Sequence, residues 1–151
     1  MYRHFGSRDG LLAEVLLQIY EESFDQQFNA VRRLLDGSGP ISEDDVVDSV
    51  PLPHGGVSAK QHAVRSQVLA VAGTNPILRA KLGESLRTRR MLLGQLMNEI
   101  DSRLPDGVTL DREVLAVYVF NLNWQYNDLL GDWSVTNEQY RTLLRRTIFS
   151  R

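Results

Sequence analysis

The sequence predicts an all-α protein. Apolar residues recur at helical spacing over long stretches, and helix-capping residues stand at the heads of those stretches with Gly, Pro and Asn between them. At 151 residues the chain is long enough for one domain with a real core.

Residues 8 to 35 read as one long helix. Ser7 is a good N-cap because its hydroxyl can accept from an unpaired amide of the first turn. Placed at about 100° per residue, Leu11, Leu12, Val15, Leu16, Ile19 and Tyr20 cover one face. Phe24, Phe28, Val31, Leu34 and Leu35 cover a different, narrower one. The first half should therefore pack against something the second half does not touch. Either the helix winds round one core, or its first half supports another body. It should end at Asp36-Gly37, with Gly37 in the left-handed conformation.

Ser38 to Gly56, rich in Pro and Gly, reads as the least ordered stretch, with room for a short helix from Glu43 to Val50 capped by Ser42. Ser58 and Gln61 form a capping box for a buried helix that runs to about Ala72. Gly73 should close it, and Asn75-Pro76 should start the next. That second long helix, to about Leu104, carries a stripe of Leu78, Leu82, Leu86, Leu93, Leu96, Met97, Ile100 and Leu104, with Arg89 projecting into its middle. Pro105-Asp106-Gly107 is a turn. Thr109 or Asp111 caps a helix to about Leu130 that is apolar on two sides and must be covered on both. Gly131 closes it, and Thr136 with Gln139 boxes the last helix, Asn137 to Phe149.

With 17 basic and 19 acidic residues, a formal charge of −2, the composition gives no sign of nucleic acid. The absence of cysteine excludes disulfides, thiolate metal sites and cysteine nucleophiles. His4, His54 and His62 have no metal-ligand partner at helical spacing, so neither a metal nor a cofactor is expected. His54 reads as solvated and the carboxylates of Glu43-Asp44-Asp45 as surface. No phosphate loop, nucleophile elbow or HExxH occurs, so the reading is not an enzyme. No apolar run is long enough to span a membrane and no signal pattern follows Met1, which points to the cytoplasm.

Met1 to Leu17 carry the sharpest signal. Tyr2, Arg3, His4 and Phe5 read as the last turn of a helix whose beginning is absent, then Gly6 breaks it and Ser7 restarts a helix. Tyr2, His4, Phe5, Gly6, Ser7, Arg8, Asp9, Leu11 and Leu12 resemble the segment of TetR-family transcriptional regulators where the recognition helix ends and the fourth helix opens. Arg8 replaces the more usual Lys, and Gly10 the commoner acidic residue, so no capping box is available there. Beyond residue 20 the resemblance rests on helix order and length alone.

The resemblance implies a TetR-like regulatory domain with a long connector helix and a C-terminal helix pair that dimerises as a four-helix interface. Residues 1–10 would be a remnant of the DNA-binding helix-turn-helix domain, and 11–151 the ligand-binding and dimerisation domain. It implies DNA phosphate contacts for Tyr2, His4 and Arg8, and a packing role for Phe5. Operator DNA would be a partner of the full-length protein only, since bases are read from turns that precede Met1. An unidentified small-molecule effector would sit in a largely apolar pocket among the helices beginning near Ser58, Pro76 and Thr109, with His62, Ser66, Arg89, Asn121 and Trp124 as candidate contacts. For His62 a structural role competes with this. For Arg89 the alternative is a partner carboxylate or the stripe's edge, because a guanidinium cannot shed its charge. For Asn121 it is the helix surface. Phe120, Tyr140, Leu143, Leu144 and Thr147 are the candidate homodimer interface. The expected function is a ligand-responsive repressor without its base-reading helices; the alternative is a stand-alone helical dimer or interaction module with no DNA role.

Overall fold

The computed structural model describes residues 6–54, 59–120, 131 and 134–150; at 26, 27 and 59–62 it describes the backbone alone. The chain is all-α: six helices and one two-stranded sheet among the described residues. The helices are α1 (Arg8–Arg33), α2 (Glu43–Ser49), α3 (Ala59–Ala72), α4 (Pro76–Asp101), α5 (Arg112–Phe120) and α6 (Asn137–Thr147). The strands are β1 (Thr109–Leu110) and β2 (Phe149–Ser150), paired antiparallel with Leu110 opposite Phe149.

Local chemistry sets the starts. Ser7 Oγ accepts from the Gly10 amide at 3.0 Å, just after Gly6 turns the chain at φ +71°. Ser42 and Asp45 form a reciprocal capping box on α2, as do Thr136 and Gln139 on α6. Asn75 caps α4 and Pro76 takes its first position. Asp111, not Thr109, caps α5, its Oδ1 accepting from the Val114 amide at 3.0 Å, while Thr109 belongs to β1. The Ser58–Gln61 box and the stretch from Asn121 to Leu130 lie outside what is described.

The end of α1 differs from expectation, while Gly73 closes α3 as expected. Neither Gly37 nor Gly73 has a positive φ; among described glycines only Gly6, Gly107 and Gly131 do. Instead α1 tightens into bonds three residues apart, Leu34 N–H to Val31, Leu35 to Arg32 and Asp36 to Arg33. α3 likewise ends with Gly73 N–H on the Ala70 carbonyl and Thr74 on Val71.

The long helices α1 and α4 run side by side in the same direction: Glu14 pairs with Lys81, Glu21 with Ser85 and Asp25 with Arg89. Along this pair lie two cores. The smaller joins Ala13, Tyr20 and Phe24 of α1 to Val68 and Ala72 of α3 and Leu78 and Leu82 of α4. The larger joins Phe28 and Val31 to α2, the second half of α4, α5 and α6. The apolar face of α1 does shift along its length, and Phe120 packs against both cores.

The stretch expected to be least ordered is anchored. Ile41, Val46, Val47 and Val50 enter the larger core, the Ile41 amide donates to the Arg103 carbonyl at 2.8 Å, and the Arg103 guanidinium donates twice to the Gly39 carbonyl. α2 and α6 are laced by Asp48–Arg141 at 2.9 Å and Asp44–Arg145 at 2.8 Å. Asp44 is thus a surface carboxylate, as expected, and is ion-paired as well. Asp44 draws a hydrogen bond from Arg145 and holds that guanidinium's pKa above its ordinary value, and the Ser42 hydroxyl and amide hold the Asp45 carboxyl below the usual carboxylate range.

Candidate functional site

A groove of about 430 Å³ runs between α1 and α4. Its walls are Leu17, Glu21, Asp25 and Arg32 from α1 and Lys81, Glu84, Ser85, Thr88, Arg89 and Leu92 from α4. Spacing of four residues puts Lys81, Ser85 and Arg89 on one face of α4. Ser85 Oγ donates to Glu21 Oε1 at 2.7 Å. The expectation was a largely apolar pocket among α3, α4 and α5. This groove lies elsewhere and carries both signs of charge, so it suits a polar ligand held by hydrogen bonds and ion pairs.

Arg89 lies in it with its side chain 14% exposed. Its Nη2 donates to the Glu21 carbonyl at 2.9 Å and both Nη atoms lie 3.4 Å from Asp25 Oδ1. Its guanidinium stands 5.6 Å from the ring centres of Phe24 and Phe28. The carboxylate partner and the groove position occur together, so the two readings of Arg89 are not exclusive.

Arg65 is the residue that sequence reasoning missed. It is buried, 6% exposed, on a helix read as apolar. Nε donates to Ser23 Oγ at 2.7 Å, Nη2 donates to the Ser23 carbonyl, and the guanidinium lies 4.1 Å over the Phe24 ring. The signal was available: Arg65, Val68 and Ala72 share one helical face, so the arginine falls on the buried side.

His54 is also corrected. It is 3% exposed, not solvated. Its Nε2 lies 2.9 Å from the Val135 carbonyl, an acceptor, so the proton sits on that nitrogen. Its backbone exchanges two bonds with the Asn137 side chain, which ties this loop to the start of α6.

Of the other candidates, Arg8 is exposed beside the Ser7 cap and Ser66 is half-buried on α3. Tyr2, His4, Asn121, Trp124 and the side chain of His62 lie outside the described residues. The proposed dimer residues divide. Tyr140 and Leu144 are fully buried in the chain's own larger core, so they are not offered to a partner. The sequence alone offers them to a partner because the residues that cover them, on α2 and α5, are remote in sequence. Thr147 Oγ1 hydrogen-bonds Tyr118 Oη at 3.2 Å, and Phe120 is half-buried with ring centres at 6.2 Å from Phe24 and 6.0 Å from Phe28. Leu143 is exposed. Tyr140 meets Tyr118 edge-on at 5.8 Å, and burial, with Tyr118 adding, pushes its phenol well above the ordinary value.

Among the described residues no group of His, Asp or Glu is arranged to hold a metal, and no helix is long and apolar enough to cross a membrane. Comparison with family models, with curated proteins and with solved structures found no match.

Proposed function

We propose that this chain is the ligand-responsive, dimerising part of a TetR-type transcriptional regulator, a cytoplasmic repressor whose effector lies in the α1–α4 groove against Arg89. The observation that carries the reading is the uneven exposure of α1. α1 is packed along both halves, but its first half also leaves an apolar strip of Leu12 (42% exposed), Val15 (49%) and Ile19 (37%) open, whereas its second half leaves no large apolar side chain exposed among the described residues. An open apolar strip on an otherwise packed helix suits the docking of a second body, which supports the reading, and Gly6-Ser7-Arg8 at that end is the part of the chain that resembles the family.

On this reading the chain keeps phosphate contacts from Tyr2, Arg3, His4 and Arg8 but no base reading. Fluorescence anisotropy with duplex DNA should show weak binding, indifferent to sequence and lost as salt rises. Tight, sequence-selective binding by this chain would contradict it. Sedimentation at micromolar concentration should show twice the chain mass. The burial of Tyr140 and Leu144 favours the second reading, a stand-alone module without the family's dimer; a monomer that ignores DNA at every salt concentration would select it.

A further inference from the structure

One turn of α1 is gripped from two sides. The carbonyls of Tyr20, Glu21 and Ser23, in mid-helix, each accept a side-chain hydrogen bond: from Ser23 Oγ at 2.5 Å, from Arg89 Nη2 at 2.9 Å, and from Arg65 Nη2. Ser23 Oγ also accepts from Arg65 Nε, so it relays α3 onto the Tyr20 carbonyl. Arg65 belongs to α3 and Arg89 to α4, and both guanidinium groups lie over Phe24. Phe24 is the last α1 residue of the smaller core; Phe28, one turn on, is the first of the larger.

From this we infer that the clamp, Arg65 on Ser23 and Arg89 on the Glu21 carbonyl, is the joint that makes the two cores open and close as one unit. The inference goes beyond the regulator reading and does not depend on it. Among the described residues the Phe120 ring touches both Phe24 and Phe28, and rings in van der Waals contact can slide. The clamp's hydrogen bonds are directional: a guanidinium fork on a hydroxyl and carbonyl fixes both distance and angle. Arg65 fixes this turn of α1 to α3 and Arg89 fixes the same turn to α4, so a shift of the turn against one helix is felt at its bonds to the other.

Hydrogen exchange on the whole chain tests it. In a coupled protein the slowest amides of both cores exchange through one shared opening. Ile148→Val, in the larger core, should then raise exchange roughly threefold to tenfold in residues 63–82 as well as in 93–101 and 137–147. In an Arg65→Lys background, which keeps the charge but loses the fork, residues 63–82 should exchange faster and no longer respond to Ile148→Val. Ser23→Ala, which removes the relay and little volume, should reproduce this in milder form. Ile148→Val spreading equally in both backgrounds, failing to reach residues 63–82 in the native chain, or Arg65→Lys speeding exchange equally throughout would each overturn the inference.

Discussion

The two cores lie along the same pair of helices and are built on different terms. The larger is mainly apolar, with Phe28, Leu93, Ile100, Leu144 and Ile148 meeting at its centre beside the buried Tyr140 phenol, and α2, α5 and α6 close over it. The smaller is thinner and has polar groups sealed into its walls, with Arg65, Ser23, Asn75 and Ser85 all buried. Apolar packing is non-directional and grows with area, so the larger core supplies most of the stability. Hydrogen-bonded polar burial adds little net stability but is costly to break in part, so the smaller core specifies geometry.

The comparison is sharpened most by truncation in the larger core. Leu144→Ala should lower unfolding stability by about 2–5 kcal/mol in a urea titration. A loss below about 1 kcal/mol would mean that the site collapses and that stability lies elsewhere. In the smaller core, Arg65→Met should lower stability by about 1–3 kcal/mol, because Ser23 is left with buried acceptors unmatched. A gain in stability would place Arg65 among buried charges that packing can replace, and the contrast between the cores would shrink.

The next effect is pH-dependent. The Tyr140 phenol is raised, so folding favours its protonated form. Its contribution is complete below the ordinary tyrosine value near 10, where folded and unfolded chains are both protonated. Above that the unfolded chain ionises first, and stability should fall by about 1.4 kcal/mol per pH unit toward the raised folded value. Tyr140→Phe should flatten the decline between pH 10 and about 11 in thermal melts. An identical slope in both proteins would remove Tyr140 as its source.

The smallest effect belongs to the α2–α6 pairs. Arg141→Ala and Arg145→Ala should each lower Tm slightly at low salt and not at 1 M salt, because exposed ion pairs are screened. A loss that persists at high salt would show that these side chains act by packing.

Much of this was readable beforehand where the determinants are local. A cap and its amide sit three residues apart, so Ser7, Ser42, Asn75 and Thr136 were all identified from sequence. The shift of the apolar face at Phe24 was readable because it is a property of one helix. His54 was not, since its anchors Val135 and Asn137 lie more than 80 residues away. Nor were β1 and β2, because two residues cannot display alternation. Gly37 misled for a third reason: glycine permits a left-handed helix end without requiring one, and here a tightened last turn satisfies the carbonyls instead. The groove escaped for a fourth, since its two walls come from helices separated by the whole of α2 and α3.

The pairing of β1 with β2 turns everything from Asp111 to Ile148 into a closed loop, fastened at its base by Leu110 and Phe149 and by the Asp111 amide on the Ile148 carbonyl at 2.8 Å. Closing a chain into a ring has an entropy that grows only with the logarithm of its length. Ten residues added after Gly131, which is exposed and already at φ +67°, should therefore cost only about 0.2 kcal/mol of closure entropy. Between α5 and α6, at Gly131, added length is nearly free while the clasp holds.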